Sequence, residues 1–172
     1  MRARDDLVCH LLLWSAGWFC QRTLNPTLTR MINAFVYGTL RSGEANDIAQ
    51  AAARHGIAAP RLVGRASLWG RLYDFGDYPG LLLDAGGAEV VGDVYQIDAA
   101  LVPILDEIEE IYPGQEGLFI RRQVYVEVLE LGQPRLFDCL FYPITAGAAA
   151  GRPIISGGDW VAHRLGKTAR AA

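Results

Sequence analysis

Residues 34–41 read Ala34-Phe35-Val36-Tyr37-Gly38-Thr39-Leu40-Arg41. Four apolar residues with three β-favouring side chains predict a short strand buried on both faces, and Gly38 cuts it off abruptly. A glycine at the end of such a strand allows successive backbone N–H groups to point into one concavity, where they can hold a carboxylate or an oxyanion. On Tyr37–Arg41 alone, the plainer reading is that Gly38 simply turns the chain.

Working outward, Asn46–His55 is alanine-rich and predicts a helix closed by Gly56. Arg61–Asp74 alternates loosely, with Gly64 and Gly70 as expected bulges or bends. Pro79-Gly80 leads into Leu81-Leu82-Leu83, and Gly86-Gly87 predicts a tight reversal into Val90–Ile97, making a hairpin. Asp98 is the expected N-cap of a helix whose regular part begins near Val102, because Pro103 fits only near its start. Phe119–Leu131 alternates through Val124, Val126 and Val128, turns at Gly132-Gln133 and returns as Leu136–Tyr142, a second hairpin. Gly147–Gly158 reads as irregular. Many short strands with few helices predict the α+β class, a small, curled, mixed sheet or barrel with flanking helices.

Upstream, Leu7–Trp14 and Trp18-Phe19-Cys20 form an apolar stretch interrupted by His10 and too short for a transmembrane helix. A signal-like reading has a basic start in Arg2 and Arg4 but is diluted by Asp5-Asp6 and lacks a small-x-small cleavage site. The expected division is an extension over 1–30, with the working chain starting at Met31, a domain over 31–165 and a flexible tail over 166–172.

The 172 residues are half hydrophobic and one-fifth charged, with a formal net charge of -3. That size allows one domain with a sizeable core. The charge gives no reason to expect a nucleic-acid partner. Cys9, Cys20 and Cys139 are odd in number and widely spaced, which argues against a disulfide framework and a structural zinc site. His10, His55 and His163 lie far apart. No metal and no cofactor are expected, no membrane partner, and a cytoplasmic location.

The second place able to carry chemistry is Leu105-Asp106-Glu107-Ile108-Glu109-Glu110. At helical periodicity Leu101, Ile104, Leu105 and Ile108 share one face, with Glu107 and Glu109 on its two borders. A carboxyl group on such a border is partly desolvated and can reach a cleft, which raises its pKa towards the proton-shuttling range. Periodicity does not choose between the two glutamates, and a solvated acidic face is the plainer alternative.

Both places fall in one pattern. The chain resembles the γ-glutamylcyclotransferase-like proteins, in the small branch that opens with Tyr-Gly-Thr-Leu, here Tyr37-Gly38-Thr39-Leu40. The resemblance continues through Arg71-Leu72-Tyr73-Asp74, Tyr78-Pro79-Gly80, Val91-Gly92-Asp93-Val94-Tyr95, Leu105–Glu109, Arg121-Arg122 and Ser156-Gly157-Gly158-Asp159-Trp160. It implies a small β-barrel, a substrate cavity floored by Tyr37, Gly38, Thr39 and Leu40, and an acid/base glutamate at the fifth position of Leu-Asp-x-x-Glu, which is Glu109. The implied substrate is a small γ-glutamyl amine or peptide, cyclised to 5-oxoproline; the implied alternative is a non-catalytic small-molecule-binding or regulatory module on the same fold. Two positions depart from the family's habit. Glu110 stands where a small residue is common and is expected to point away from the site. Phe119 stands where a tyrosine often lines the pocket.

Overall fold

In the computed structural model, residues 30–130 and 132–171 are described. The readings of residues 1–29 therefore lie outside the described residues. The elements are β1 (Met31–Val36), α1 (Ile48–Arg54), β2 (Arg61–Asp74), β3 (Pro79–Leu83), β4 (Ala88–Asp98), a 3-10 turn (Ala99–Leu101), α2 (Val102–Ile108), β5 (Arg122–Glu130), β6 (Gln133–Phe141) and α3 (Trp160–Ala171). One six-stranded sheet runs in the order β3-β2-β4-β1-β6-β5. Its pairings are antiparallel except β1 with β6, which is parallel.

The sheet curls into a half-barrel, bringing β2 towards β5. At Gly64 an added Cβ would come within 2.5 Å of Val128 Cγ1. Inside the curl lie Phe35, Leu72, Leu81, Val90, Val94, Val126, Val128, Phe141 and Trp160. On the other side, Ala34, Val36, Ile48, Ile97, Leu101, Leu105 and Leu140 pack between the sheet and the helices α1 and α2. Alternate residues of β1 thus face two different cores, which is why its second half, Ala34–Val36, is apolar without a break.

Local signals placed several elements well. Asp47 caps α1 by accepting from the Ala49 and Gln50 N–H groups, and Gly56 ends the segment at φ 64°. Asp98 accepts from the Ala100 N–H, and α2 begins at Val102 with Pro103 in its first turn. β2 is irregular between Leu62 and Gly64.

Three expectations differ. First, β3 and β4 form no hairpin: each pairs antiparallel with β2, so they run in the same direction. Gly87 is demanded by packing, since a Cβ there would lie 2.2 Å from the Gly70 carbonyl oxygen. Second, the β5–β6 register pairs Glu130 with Gln133, so the turn sits one residue earlier than expected, and Gly132 takes its left-handed position at φ 78°. Third, the segment from 166, expected as a flexible tail, continues α3 through Ala171. Long-range contacts hold this helix: ion pairs of Asp74 with Lys167 at 2.5 Å and of Glu44 with Arg164 at 2.7 Å, and a hydrogen bond between Asp74 and His163 Nε2 at 2.9 Å.

Candidate active site

Where β1 ends, Tyr37 carries the chain into the turn. Its ring packs among Phe35 and Phe141, with centroids 6.5 Å away in each case. Its hydroxyl donates to the Tyr142 carbonyl at 2.7 Å and accepts from the Leu81 N–H at 3.1 Å. Burial, with the Glu109 carboxyl nearby, pushes the Tyr37 phenol far above its ordinary range. Its hydrogen-bonding capacity is occupied in joining β1, β3 and β6, so the residue anchors the loop.

Gly38 is needed for a reason the sequence did not display. Its φ is not in the left-handed region. A Cβ there would instead fall 2.7 Å from Pro79 Cγ, inside van der Waals contact. Beyond it, the carbonyls of Gly38, Thr39 and Leu40 accept from the N–H groups of Arg41, Asn46 and Ile48 at 3.1, 3.0 and 3.0 Å. Among the described residues, the N–H groups of Gly38, Thr39 and Leu40 donate to no other protein group. Three adjacent main-chain donors thus remain without protein acceptors, and an anion satisfies such a set. Asn46 Nδ2 donates to Thr39 Oγ1 at 3.2 Å, fixing the Thr39 side chain.

Beneath the loop lies Arg41, 4% exposed. Its Nε donates to Asp93 at 2.8 Å and its Nη1 to Asp159 at 3.0 Å. Asp159 also accepts from the Val161 and Ala162 N–H groups at the start of α3. One guanidinium therefore joins three sequence motifs that are remote in the chain: the 37–41 loop, Val91–Tyr95 and Ser156–Trp160.

Glu109 follows the last residue of α2, with its N–H still bonded to the Leu105 carbonyl at 3.0 Å. The chain then closes the helix: Glu110 N–H bonds to Glu107 O, Ile111 N–H bonds to Asp106 O, and Glu110 adopts φ 55°. This is a Schellman-type end with glutamate where glycine is usual. Glu109 is half-buried, and burial pushes its carboxyl up to about 8. Glu107 is exposed on the α1 side, so the two glutamates that periodicity left equivalent have different surroundings. Asp106 accepts from Tyr142 Oη at 2.8 Å and pairs with Arg121 at 2.5 Å, which commits it to structure.

Tyr37, Gly38, Thr39, Leu40 and Glu109 line one cavity, together with Phe35, Val36, Pro79, Phe119 and Tyr142. A second cavity adjoins it, sharing Glu109 and Phe119 and lined also by Asn46, Tyr78, Ile108, Glu110 and Leu118. Glu110, expected to point away, lines this outer cavity, because the left-handed residue turns the chain back across the helix end. Phe119 does line the site and offers no hydroxyl there. Pro79, Tyr142 and Asn46 were not singled out from the sequence. For Pro79, the Tyr-Pro-Gly motif was an available signal; Tyr142 and Asn46 carried none.

Residues 34–162 match the family described as Gamma-glutamyl cyclotransferase, AIG2-like. The chain is similar to the Gamma-L-glutamyl-butirosin B gamma-glutamyl cyclotransferase of Niallia circulans, 39% identical over 99 residues, covering 56% of this chain and 58% of the relative. It is also similar to the Gamma-glutamylaminecyclotransferase of Bos taurus, 31% identical over 124 residues and covering 66% of each. The chain thus spans less than two thirds of both relatives. An aig2-like protein of Mus musculus superposes with a TM-score of 0.56 at 26% identity, over 73% of this chain and 86% of that one. With most of its described residues matched, and with the family's motifs gathered around one cavity, the chain belongs to the gamma-glutamyl cyclotransferase, AIG2-like family.

Proposed function

We propose that the protein is a γ-glutamylcyclotransferase that converts a γ-glutamyl amine or peptide into 5-oxoproline and the free amine. The observation that carries this reading is the shared cavity. Glu109, raised to about 8 by burial, lines it with a loop whose three consecutive N–H groups lack protein acceptors.

The substrate brings its own nucleophile, the α-amino group. Burial that raises the Glu109 carboxyl to about 8 brings it nearer to an α-ammonium, so proton transfer to it is less uphill than to an ordinary carboxylate. The Glu109 carboxylate takes a proton from the α-ammonium, and the freed nitrogen attacks the γ-carbonyl carbon. A ring C–N bond forms and the carbonyl oxygen becomes an oxyanion. The Gly38, Thr39 and Leu40 N–H groups hold that oxyanion or the substrate's α-carboxylate. When the tetrahedral species collapses, the bond to the leaving nitrogen breaks, and Glu109 returns the first proton to that nitrogen. The extra proton still on the ring nitrogen follows by way of Glu109, so the ring nitrogen keeps one hydrogen and the amine leaves as its ammonium. No water is consumed. Binding the substrate in a folded shape contributes the large effective molarity of ring closure, on the order of 10⁵–10⁸ M in well-oriented cases.

Phe119 and Tyr78, with ring centroids 6.0 Å apart, supply an apolar wall beside Glu109. No helix of the described residues is long and apolar enough to cross a membrane. The proposal extends to a cytoplasmic enzyme that acts on small γ-glutamyl molecules without metal or cofactor.

Wild type and Glu109→Gln are incubated with γ-glutamyl amines and γ-glutamyl dipeptides, and 5-oxoproline is measured. The variant is expected to be slower by ~10²–10⁴-fold, the usual loss when an acid/base group is removed. Equal rates in the two proteins rule out the role of Glu109; binding of 5-oxoproline without turnover of any substrate favours the non-catalytic alternative.

A further inference from the structure

We propose that Asp106 positions the substrate through Tyr142: it takes the one proton of the Tyr142 hydroxyl and leaves an oxygen that accepts from the substrate's α-ammonium beside Glu109. This rests on the cyclotransferase reading and adds to it a residue that touches substrate, Tyr142, and a positioning residue, Asp106.

The direction of the hydrogen bond follows from charge. Asp106 pairs with the Arg121 guanidinium at 2.5 Å as a carboxylate, which has acceptors and no donor. Tyr142 Oη lies 2.8 Å from Asp106 Oδ1 and is therefore the donor. A phenol has a single proton, so towards anything else it meets this oxygen can only accept. The phenol also keeps that proton. Burial first, then the bond to Asp106 and the charges of Asp106 and Glu109, push it above its ordinary range.

Asp106 and Glu109 stand three residues apart at the end of α2 and share a face, which brings the Tyr142 hydroxyl to the Glu109 side of the inner cavity. The polar side chains lining that cavity are Tyr37, Thr39, Glu109 and Tyr142. Tyr37 Oη is filled by the Tyr142 carbonyl and the Leu81 N–H. Thr39 Oγ1 accepts from Asn46 and keeps its proton to donate. The cavity is thus divided, with donors along the 38–40 loop and acceptors at Glu109 and Tyr142. A γ-glutamyl head group matches both halves. Its α-carboxylate faces the loop, and its α-ammonium gives one proton to Glu109 while Tyr142 holds a second. Once Glu109 has taken its proton, the N–H held by Tyr142 fixes the rotation of the amine, so the new lone pair faces the γ-carbonyl. Without Asp106 the Tyr142 hydroxyl is free to turn its proton towards Glu109, where it competes with the ammonium.

The test is a double-variant cycle on 5-oxoproline release from whichever γ-glutamyl amine or dipeptide the wild type turns over. Asp106→Ala and Tyr142→Phe are each expected to lower kcat by about 10–100-fold, the scale of one hydrogen bond to a charged group, with KM changed by less than about threefold. The double variant is expected to be no slower than Tyr142→Phe alone, because Asp106 acts only through the hydroxyl. Asp106→Asn keeps a carbonyl oxygen for Tyr142 and loses the ion pair to Arg121, so its kcat should lie between those of wild type and Asp106→Ala. A double variant slowed by the product of the two single effects, or an Asp106→Asn as slow as Asp106→Ala, reduces Asp106 to a structural pair and overturns the inference. So does a wild-type kcat in Tyr142→Phe, the variant that leaves the Asp106–Arg121 pair in place. Each of these results leaves the cyclotransferase reading standing. No 5-oxoproline from the wild type with any γ-glutamyl amine or dipeptide removes that reading and this inference together.

Discussion

Replacing Arg41 by methionine keeps the length of the side chain and deletes its charge, in the position where three motifs meet. Two carboxylates lose their partner, unequally. Asp159 has 26% of its side chain exposed and keeps its hydrogen bonds to the start of α3. Asp93 has 14% exposed, and the other cation in reach, Arg65, is 4.0 Å away and largely in solvent. The cost is therefore set by stranding Asp93. Breaking one side of a buried pair typically destabilises by about 3–5 kcal/mol. For a protein of this size that lowers Tm by about 10–15 °C, read by calorimetry or circular dichroism.

A double variant isolates the stranded charge. Adding Asp93→Asn to Arg41→Met should recover about 1–2 kcal/mol at pH 7. A loss below about 1 kcal/mol, or no recovery in the double variant, would refute the reasoning, and Arg41 would count as no more than a surface pair.

Gly38→Ala places a methyl 2.7 Å from Pro79 Cγ, and since both residues line the inner cavity, we expect a loss of about 1–3 kcal/mol in denaturant titrations together with slower turnover. Glu110→Gly moves stability the other way: removing a left-handed L-residue should add roughly 0.5–1 kcal/mol, seen as a higher urea midpoint at unchanged slope.

How far the sequence reached can be judged residue by residue. The Asp98 cap and the start of α2 at Val102 rest on neighbours in the chain, and local pattern found them. Strands were found with ends up to three residues off, and α1 begins two residues later than expected, behind an Asp47 cap that went unread. The supposed hairpin failed because Gly86-Gly87 looks like a reversal, whereas Gly87 answers to the Gly70 carbonyl on another strand. α3 went unseen because its polar residues carry the attachments, through Asp74 and Glu44, more than 80 residues away in the chain. At the site, the 37–40 loop and the acidic helix were visible as candidates, but their meeting was not. Helical periodicity also could not separate Glu107 from Glu109, because the regular helix stops at Ile108, between them. Gly38 was noticed for a backbone reason and is required for a side-chain one.

The account turns on the protonation of Glu109. Its folded pKa of about 8 lies above the ordinary carboxyl value of 4.5, so the free energy of unfolding should fall as pH rises between those values, and Glu109→Gln should lack that slope. The most direct measurement is a carbon-13 NMR titration of the Glu109 carboxyl in the folded protein, with its resonance identified by its loss in Glu109→Gln. A midpoint near 8 is predicted; a midpoint near 4.5 would mean an ordinary solvated carboxylate and would contradict the proposed acid/base role.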